Sequence, residues 1–310
     1  MKSIITLLLL VILISPLCAQ KHNLAFNLQK GSVYFQNMTA NSTISQNLGG
    51  QQMDIKMTIV GKTSYKVNDF KNNIYSMDVK YESMTMKMGM QGMTMEFSSE
   101  RKEGGDQLTA MMSKLLGALT KSPFQVEMTN KGKIQSIKGI DVLFEKMFDE
   151  FPNFSAEQKA QLKGQLAQSY GGDAFKSNFE MAMAIYPEKP VAVGEKWTVN
   201  SSSKSGMELK IVSEYLLADA SGSLNTLKGN SKLEVADKEA FSPTNGMEMK
   251  FDIRGDMTTE LKVNKQTGWI EEGKLTQALK GNAVTKDSPQ TPGGMTIPMV
   301  IDTNMVVSGK

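Results

Sequence analysis

Met53, Ile55, Met57 and Ile59 alternate with Asp54, Lys56 and Thr58, and Met77, Val79 and Tyr81 alternate with Asp78 and Lys80. Successive side chains of a strand point to opposite faces, so a period of two predicts half-buried strands with one apolar side. The parity changes between Tyr81 and Met84, which predicts a bulge or short turn at Glu82–Ser83. The same period returns late in the chain. Met247, Met249, Phe251, Ile253, Met257, Thr259, Leu261 and Val263 share one parity, as one long strand or as a hairpin turning near Gly255.

Methionine carries much of this alternation. The chain has 24 Met and one His. Met84, Met86, Met88 and Met90 precede Gln91–Gly92, and Met93, Met95 and Phe97 follow it. A two-residue hairpin turn there sets 90 opposite 93, 88 opposite 95 and 86 opposite 97, all on one face. The candidate apolar ligand surface is therefore Met86, Met88, Met90, Met93, Met95 and Phe97. Thioether side chains are flexible and repack at low cost, which suits a core or a wall for variable hydrophobic ligands. They also select Cu(I), a lesser alternative because the sole histidine, His22, stands far from the cluster.

Between about 105 and 190 the period becomes helical. Leu108, Met111, Met112, Leu115, Leu116 and Leu119 form one stripe, with Asp106 as N-cap and Pro123 as stop. A hairpin is expected from Phe124–Thr129 and Lys133–Lys138, turning at 130–132. Ile140, Leu143, Phe144, Met147, Phe148 and Phe151 form a second stripe ended by Pro152. Ser155 with Gln158 reads as the capping box of a third helix, closed at Gly171–Gly172. Asp173 caps a fourth, carrying Phe175 and Phe179. After it, Asp287, Ser288, Pro289, Pro292, Gly293 and Gly294 mark an exposed loop before a last strand, Met295 to Val307. Pro298 places that strand at a sheet edge.

The β-rich regions echo one another. Gly92-Met-Thr-Met-Glu-Phe97 matches Gly246-Met-Glu-Met-Lys-Phe251 at four of six positions. Gly31-x-x-Tyr34 parallels Gly194-x-x-Trp197, and Asn130-x-Gly132-x-Ile134 parallels Asn264 to Gly268 followed by Ile270. Two readings stand, an ancient duplication or the chance recurrence of strand-forming compositions.

Several chemistries find no footing. Serine or cysteine nucleophiles need an internal histidine base, and zinc hydrolysis needs His and Cys ligands, so no catalytic residues, no metal site and no cofactor are expected. Glu145, Asp149 and Glu150 fall on the polar side of the second stripe and read as a solvated face. A formal charge of +3 gives no electrostatic case for nucleic acid.

The beginning of the chain reads as an export signal. Lys2 precedes an apolar run from Ile4 to Ile14, broken by Pro16, with Ala19 before Gln20 as the cut. The run is too short to span a bilayer, and no later run approaches the about 20 residues required, so no transmembrane segment is expected after cleavage. Ser15, Pro16 and Leu17 fit a lipoprotein signal poorly, so an anchor on Cys18 is not expected. With Cys18 removed the chain holds no cysteine, and stability rests on packing.

Pro187-Glu-Lys-Pro190-Val-Ala-Val-Gly194-Glu-Lys-Trp197 resembles the motif Pro-x-x-Pro-Val-x-Val-Gly-Asp/Glu-x-Trp of a secreted Bacteroidota family of unknown function. In that family the motif follows a helical stretch and opens a second β-rich half. The resemblance implies no activity and no site residues. The expected organisation is then a signal peptide at 1–19, a β-rich half at 23–104, a helical segment with a short hairpin at 105–190, and a second β-rich half at 191–310. The expected fold class is α+β, two antiparallel β-rich halves of curved-sheet or half-barrel type bridged by the helical segment. The expected function is that of an exported, periplasmic or extracellular, non-catalytic envelope protein binding a hydrophobic ligand or lipid in an apolar cavity. The alternative is a structural or assembly partner of other envelope proteins.

Overall fold

A computed structural model describes residues 20–101, 106–149, 154–157, 159–160, 172–205, 207–244, 247–288 and 291–309. The export signal and most of the third helical segment, with the Gln158 half of its capping box, lie outside them. The first strands are Lys21–His22 (β1), Val33–Leu48 (β2), Gln51–Lys71 (β3), Ile74–Met90 (β4) and Met93–Ser98 (β5). Helix Gln107–Leu119 (α1), strands Phe124–Thr129 (β6) and Ile134–Lys138 (β7), and helices Ile140–Asp149 (α2) and Gly172–Met183 (α3) follow. Then come Val191–Ala192 (β8), Lys196–Ser205 (β9), Met207–Asp219 (β10), Leu224–Val235 (β11), Ser242–Thr244 (β12), Met247–Asn264 (β13), Ile270–Thr285 (β14) and Thr296–Ser308 (β15).

One antiparallel sheet holds all but β1 and β8, in the order β7-β6-β4-β3-β2-β15-β14-β13-β11-β10-β9, with β5 on β4 and β12 on β13. The molecule is thus mostly antiparallel β. The two halves are not separate bodies joined by helices: β15 pairs with β2 along ten residues, from Met299↔Gln46 to Ser308↔Asn37, and makes the sheet continuous. Sequence could not show this pairing, because strand neighbours far apart in the chain leave no local pattern.

The halves repeat strand for strand. β2, β3, β4, β6 and β7 are sequential neighbours, and so are β9, β10, β11, β13 and β14. Gly31 N–H donates to the Val67 carbonyl and Gly194 N–H to the Leu217 carbonyl, both at 2.8 Å. A bulge falls between Val67 and Asp69 of β3 and another between Leu217 and Asp219 of β10, within the matching strings Tyr65-x-Val67-x-Asp69 and Tyr215-x-Leu217-x-Asp219. Met93–Phe97 opens β5, and the matching Met247–Phe251 opens β13. In the first half the fourth strand is interrupted, with β5 and β6 both paired to β4 and α1 between them.

Helix α3 lies where the repeat has no strand. β15 fills the place between β14 and β2, and α3 fills the corresponding place between the outer strands β7 and β9. Its Glu180 carboxylate accepts from the Ile134 amide of β7 at 3.0 Å, and its Asn178 carbonyl accepts from the Ser203 hydroxyl of β9 at 3.0 Å. The helix therefore ties both ends of the curled sheet.

Glycine permits the curl where strands approach closely. A β-carbon at Gly255 of β13 would overlap the Ala278 carbonyl oxygen of β14, and one at Gly281 would overlap that of Asp252. β13 is accordingly one long strand through Gly255, with no hairpin there. The inner face holds two packed clusters. One is built on Val67, Val79, Leu217 and Leu227, the other on Ile211, Leu233, Ile253 and Leu279. Each such side chain contributes about 1.5–3 kcal/mol on burial.

Two local expectations need correction. The Asp106 cap of α1 is as expected, its carboxylate accepting from the Thr109 amide at 3.0 Å, and Leu115, Leu116 and Leu119 of the stripe pack inward, but Thr109, Ser113 and Ala118 are buried with them while Leu108 is 46% exposed. The helix sits close on β5, where the Ser98 amide donates to the Ser113 hydroxyl at 3.2 Å, and small side chains allow that approach. Pro298 does not mark an edge strand, since β15 has neighbours on both sides. The β2 ladder begins only at Met299, so Pro298 itself faces β14 alone and its missing N–H is tolerated.

Candidate functional site

The hairpin that carries the methionines forms as its sequence requires. Gln91 and Gly92 both have positive φ, 49° and 83°, the geometry of a type I′ turn. Met90 faces Met93, Met88 faces Met95 and Met86 faces Phe97. The expected bulge is present: Lys62 pairs with Ser83 and Thr63 with Tyr81, so Glu82 is the extra residue. Ser64 donates to its carboxylate at 2.6 Å and Lys80 at 2.9 Å, and these bonds hold its pKa below the ordinary glutamate value, the Ser64 bond foremost.

Register extends the methionine patch across five strands. One row reads Met305, Ala40, Ile59, Met86, Phe97; the next reads Thr303, Ser42, Met57, Met88, Met95; a third reads Ile301, Ile44, Ile55, Met90, Met93. These rows share the sheet face with Tyr65 and Val67 of the packed core. Phe97 is buried and Met93 is 63% exposed; Met86, Met88, Met90 and Met95 are half-buried, as are Ile55, Met57 and Ile59. The face is filled at one end and open at the other. The six residues named from sequence do come together, but as one margin of a wider wall shared with β2, β3 and β15.

A recess of about 220 Å³ lies at the foot of this wall. Met38, Ile59, Met84, Phe179 and Met183 give it apolar sides, and Gln36, Thr63, Tyr65, Tyr81 and Asn178 give it polar atoms. The Tyr65 hydroxyl donates to the Gln36 side-chain carbonyl at 3.2 Å. The Tyr81 hydroxyl has no hydrogen-bond partner among the described residues. Burial pushes both phenols above the ordinary tyrosine range, so both stay protonated donors at neutral pH. Sequence reasoning missed this recess. Its only linear trace is Tyr65 and Tyr81 on the apolar parity of β3 and β4, and the helix residues that close it come from a different part of the chain.

A larger concavity of about 600 Å³ carries Asp252, Arg254, Lys280 and Asn282, outward-facing residues of β13 and β14, beside Pro298, Met299 and Val300 of β15, and is open to solvent. Among the described residues no group of three His, Cys, Asp or Glu side chains is placed to hold a metal ion, and no helix is long and apolar enough to cross a membrane.

A single antiparallel sheet curled around an apolar inner face, part packed and part open, defines the class of protein. The chain belongs to the Family of unknown function (DUF6263), whose model matches residues 72–270, from the start of β4 to the start of β14. No curated protein matches its sequence. Among solved structures it is similar to lipovitellin, in a study of lipid–protein interactions, with a TM-score of 0.47 and 9% identity over 91% of this chain. The chain spans only 25% of lipovitellin's length. It also matches the COG4313 outer membrane channel from Pseudomonas putida F1, with a TM-score of 0.25 and 7% identity over 92% of this chain and 97% of that one. Likenesses this distant carry no argument about function.

Proposed function

We propose that this chain is an exported, non-catalytic protein that holds a hydrophobic ligand or lipid against the open part of its inner sheet face. The observation that carries the reading is the wall of Met, Ile and Ala side chains on β2 to β5 and β15, left half-exposed beside a core that is elsewhere well packed. Contiguous apolar surface left open to water costs stability, about 25 cal/mol per Å², and marks a binding surface more often than an accident. Methionine suits ligands of varied shape.

Native mass spectrometry of the protein purified from its own cells tests this. A co-purifying lipid or other apolar molecule supports the carrier reading, and a clean apo mass after gentle extraction counts against it. A second reading, docking of another envelope protein on the same wall, rests on Met93, which projects from the hairpin tip 63% exposed. A stoichiometric protein partner in the same experiment would favour it. Copper binding by the facing thioethers is the lesser alternative, and titration with Cu(I) under reducing conditions decides it.

A further inference from the structure

We propose that the recess at Tyr81 receives the uncharged polar head of a single-chain amphiphile, whose alkyl chain then lies along the methionine wall. The inference rests on the carrier reading and adds the ligand's class and orientation.

Three observations support it. The first is the Tyr81 hydroxyl, a donor on the recess wall beside the Phe124 and Phe175 rings that makes no hydrogen bond among the described residues. An acceptor oxygen bound in the recess would take this hydrogen bond in place of water, in surroundings less polar than solvent. The second is the absence of charge: among the described residues no Lys, Arg, Asp or Glu lines the recess. An ionised head would lose its hydration with no counter-charge, which selects against a carboxylate or phosphate and for an alcohol, ester or amide. The third is continuity. Met84 and Ile59 belong to the recess, and Met86, Met88 and Met90 follow on the same face of β4. At about 3.3 Å per residue, the path from Met84 to Met90 is roughly 20 Å long, enough for an extended alkyl chain. The recess is smaller than the ~300 Å³ at which small-molecule pockets begin, so it has room for a head and a few carbons, and the rest must lie on the wall.

Calorimetric titration of the mature protein with lauryl alcohol and with laurate, at neutral pH and below micellar concentrations, tests this. Lauryl alcohol should bind at least about tenfold more tightly than laurate. Tyr81→Phe removes only the hydroxyl and should weaken the alcohol about three- to tenfold, leaving laurate little changed. Gly61→Val should abolish binding of the alcohol. A β-carbon fits at Gly61, where its nearest neighbour would be the Ser83 carbonyl at 3.8 Å, and since Gly61 lines the recess the added methyl groups should occupy it. Thermal melts of both variants establish that they fold. Laurate binding as tightly as the alcohol, or Tyr81→Phe leaving the alcohol unaffected, overturns the head-in-recess assignment while the carrier reading stands. If neither amphiphile binds the parent protein, the carrier reading falls and takes this inference with it.

Discussion

The indole N–H of Trp269 donates to the backbone carbonyl of Phe35 across 2.9 Å, joining the turn between β13 and β14 to β2. The same ring packs against Tyr65 at 5.1 Å, Tyr34 at 5.2 Å and Phe26 at 6.2 Å between centroids. Trp197 of β9, in the same half, makes a similar bond, donating to the Ile185 carbonyl at 3.0 Å. Trp269→Ala should cost about 3–5 kcal/mol, because it opens a cavity at a buried ring and leaves a partly buried carbonyl without its indole donor. Urea unfolding followed by far-ultraviolet circular dichroism measures the shift, and a loss under about 1 kcal/mol would contradict this account of the seam.

The curl of the sheet depends on close strand approach at Gly255. Gly255→Ala should destabilise by about 1–3 kcal/mol or more, since the new methyl group overlaps the Ala278 carbonyl oxygen. Gly222→Ala, with no atom within 4 Å of its new β-carbon, should be near neutral. Comparable melting temperatures for the two variants would disprove the steric argument.

Glu82 at the β4 bulge carries a pH signature. Its folded pKa is depressed below the ordinary value of 4.5 by hydrogen bonds from Ser64 and Lys80. Its ionised form thus favours the folded state, a contribution present in full above about pH 4.5 and lost as pH falls through the lower folded value. The parent protein should therefore be more stable than Glu82→Gln at neutral pH, and the difference should shrink on acidification. The carboxylate is largely solvated, so the effect should be modest. A gap between the two unfolding midpoints that stays constant from neutral to strongly acidic pH would refute the assignment.

Met88 lies in the middle row of the wall between Met57 and Met95. Being half-buried, it should tolerate Met88→Asp with only a small loss of stability, while the new charge drives apolar ligands off the surface. Lipid co-purifying with this variant should fall at least about tenfold, as converted from the ~1.4 kcal/mol that a desolvated charge readily exceeds. Undiminished lipid on a folded variant would move the binding surface elsewhere.

Much of this architecture was legible in linear order. The Gln91–Gly92 hairpin, the bulge at Glu82, the β6–β7 hairpin and the Asp106 cap all stand where local residues placed them, because each depends on backbone preferences or contacts within a few residues. The echoes at Gly31 and Gly194 fall at matching hydrogen bonds, to the Val67 and Leu217 carbonyls. The expected stripe of α1 holds at Leu115, Leu116 and Leu119 but not at Leu108, because a run of large apolar residues says nothing about the close contact with β5 that buries Ser113.

Alternation and turn chemistry alone were enough to establish strands, their faces and the methionine patch, since side-chain direction in a strand follows from the backbone's period of two. The pairing of β15 with β2, the place of α3 between β7 and β9, and the recess at Tyr81 emerged only in three dimensions. Each brings together residues a hundred or more positions apart, or closes a sheet edge with a helix, and such contacts are selected by the packing of the whole chain, which no local window of residues can encode.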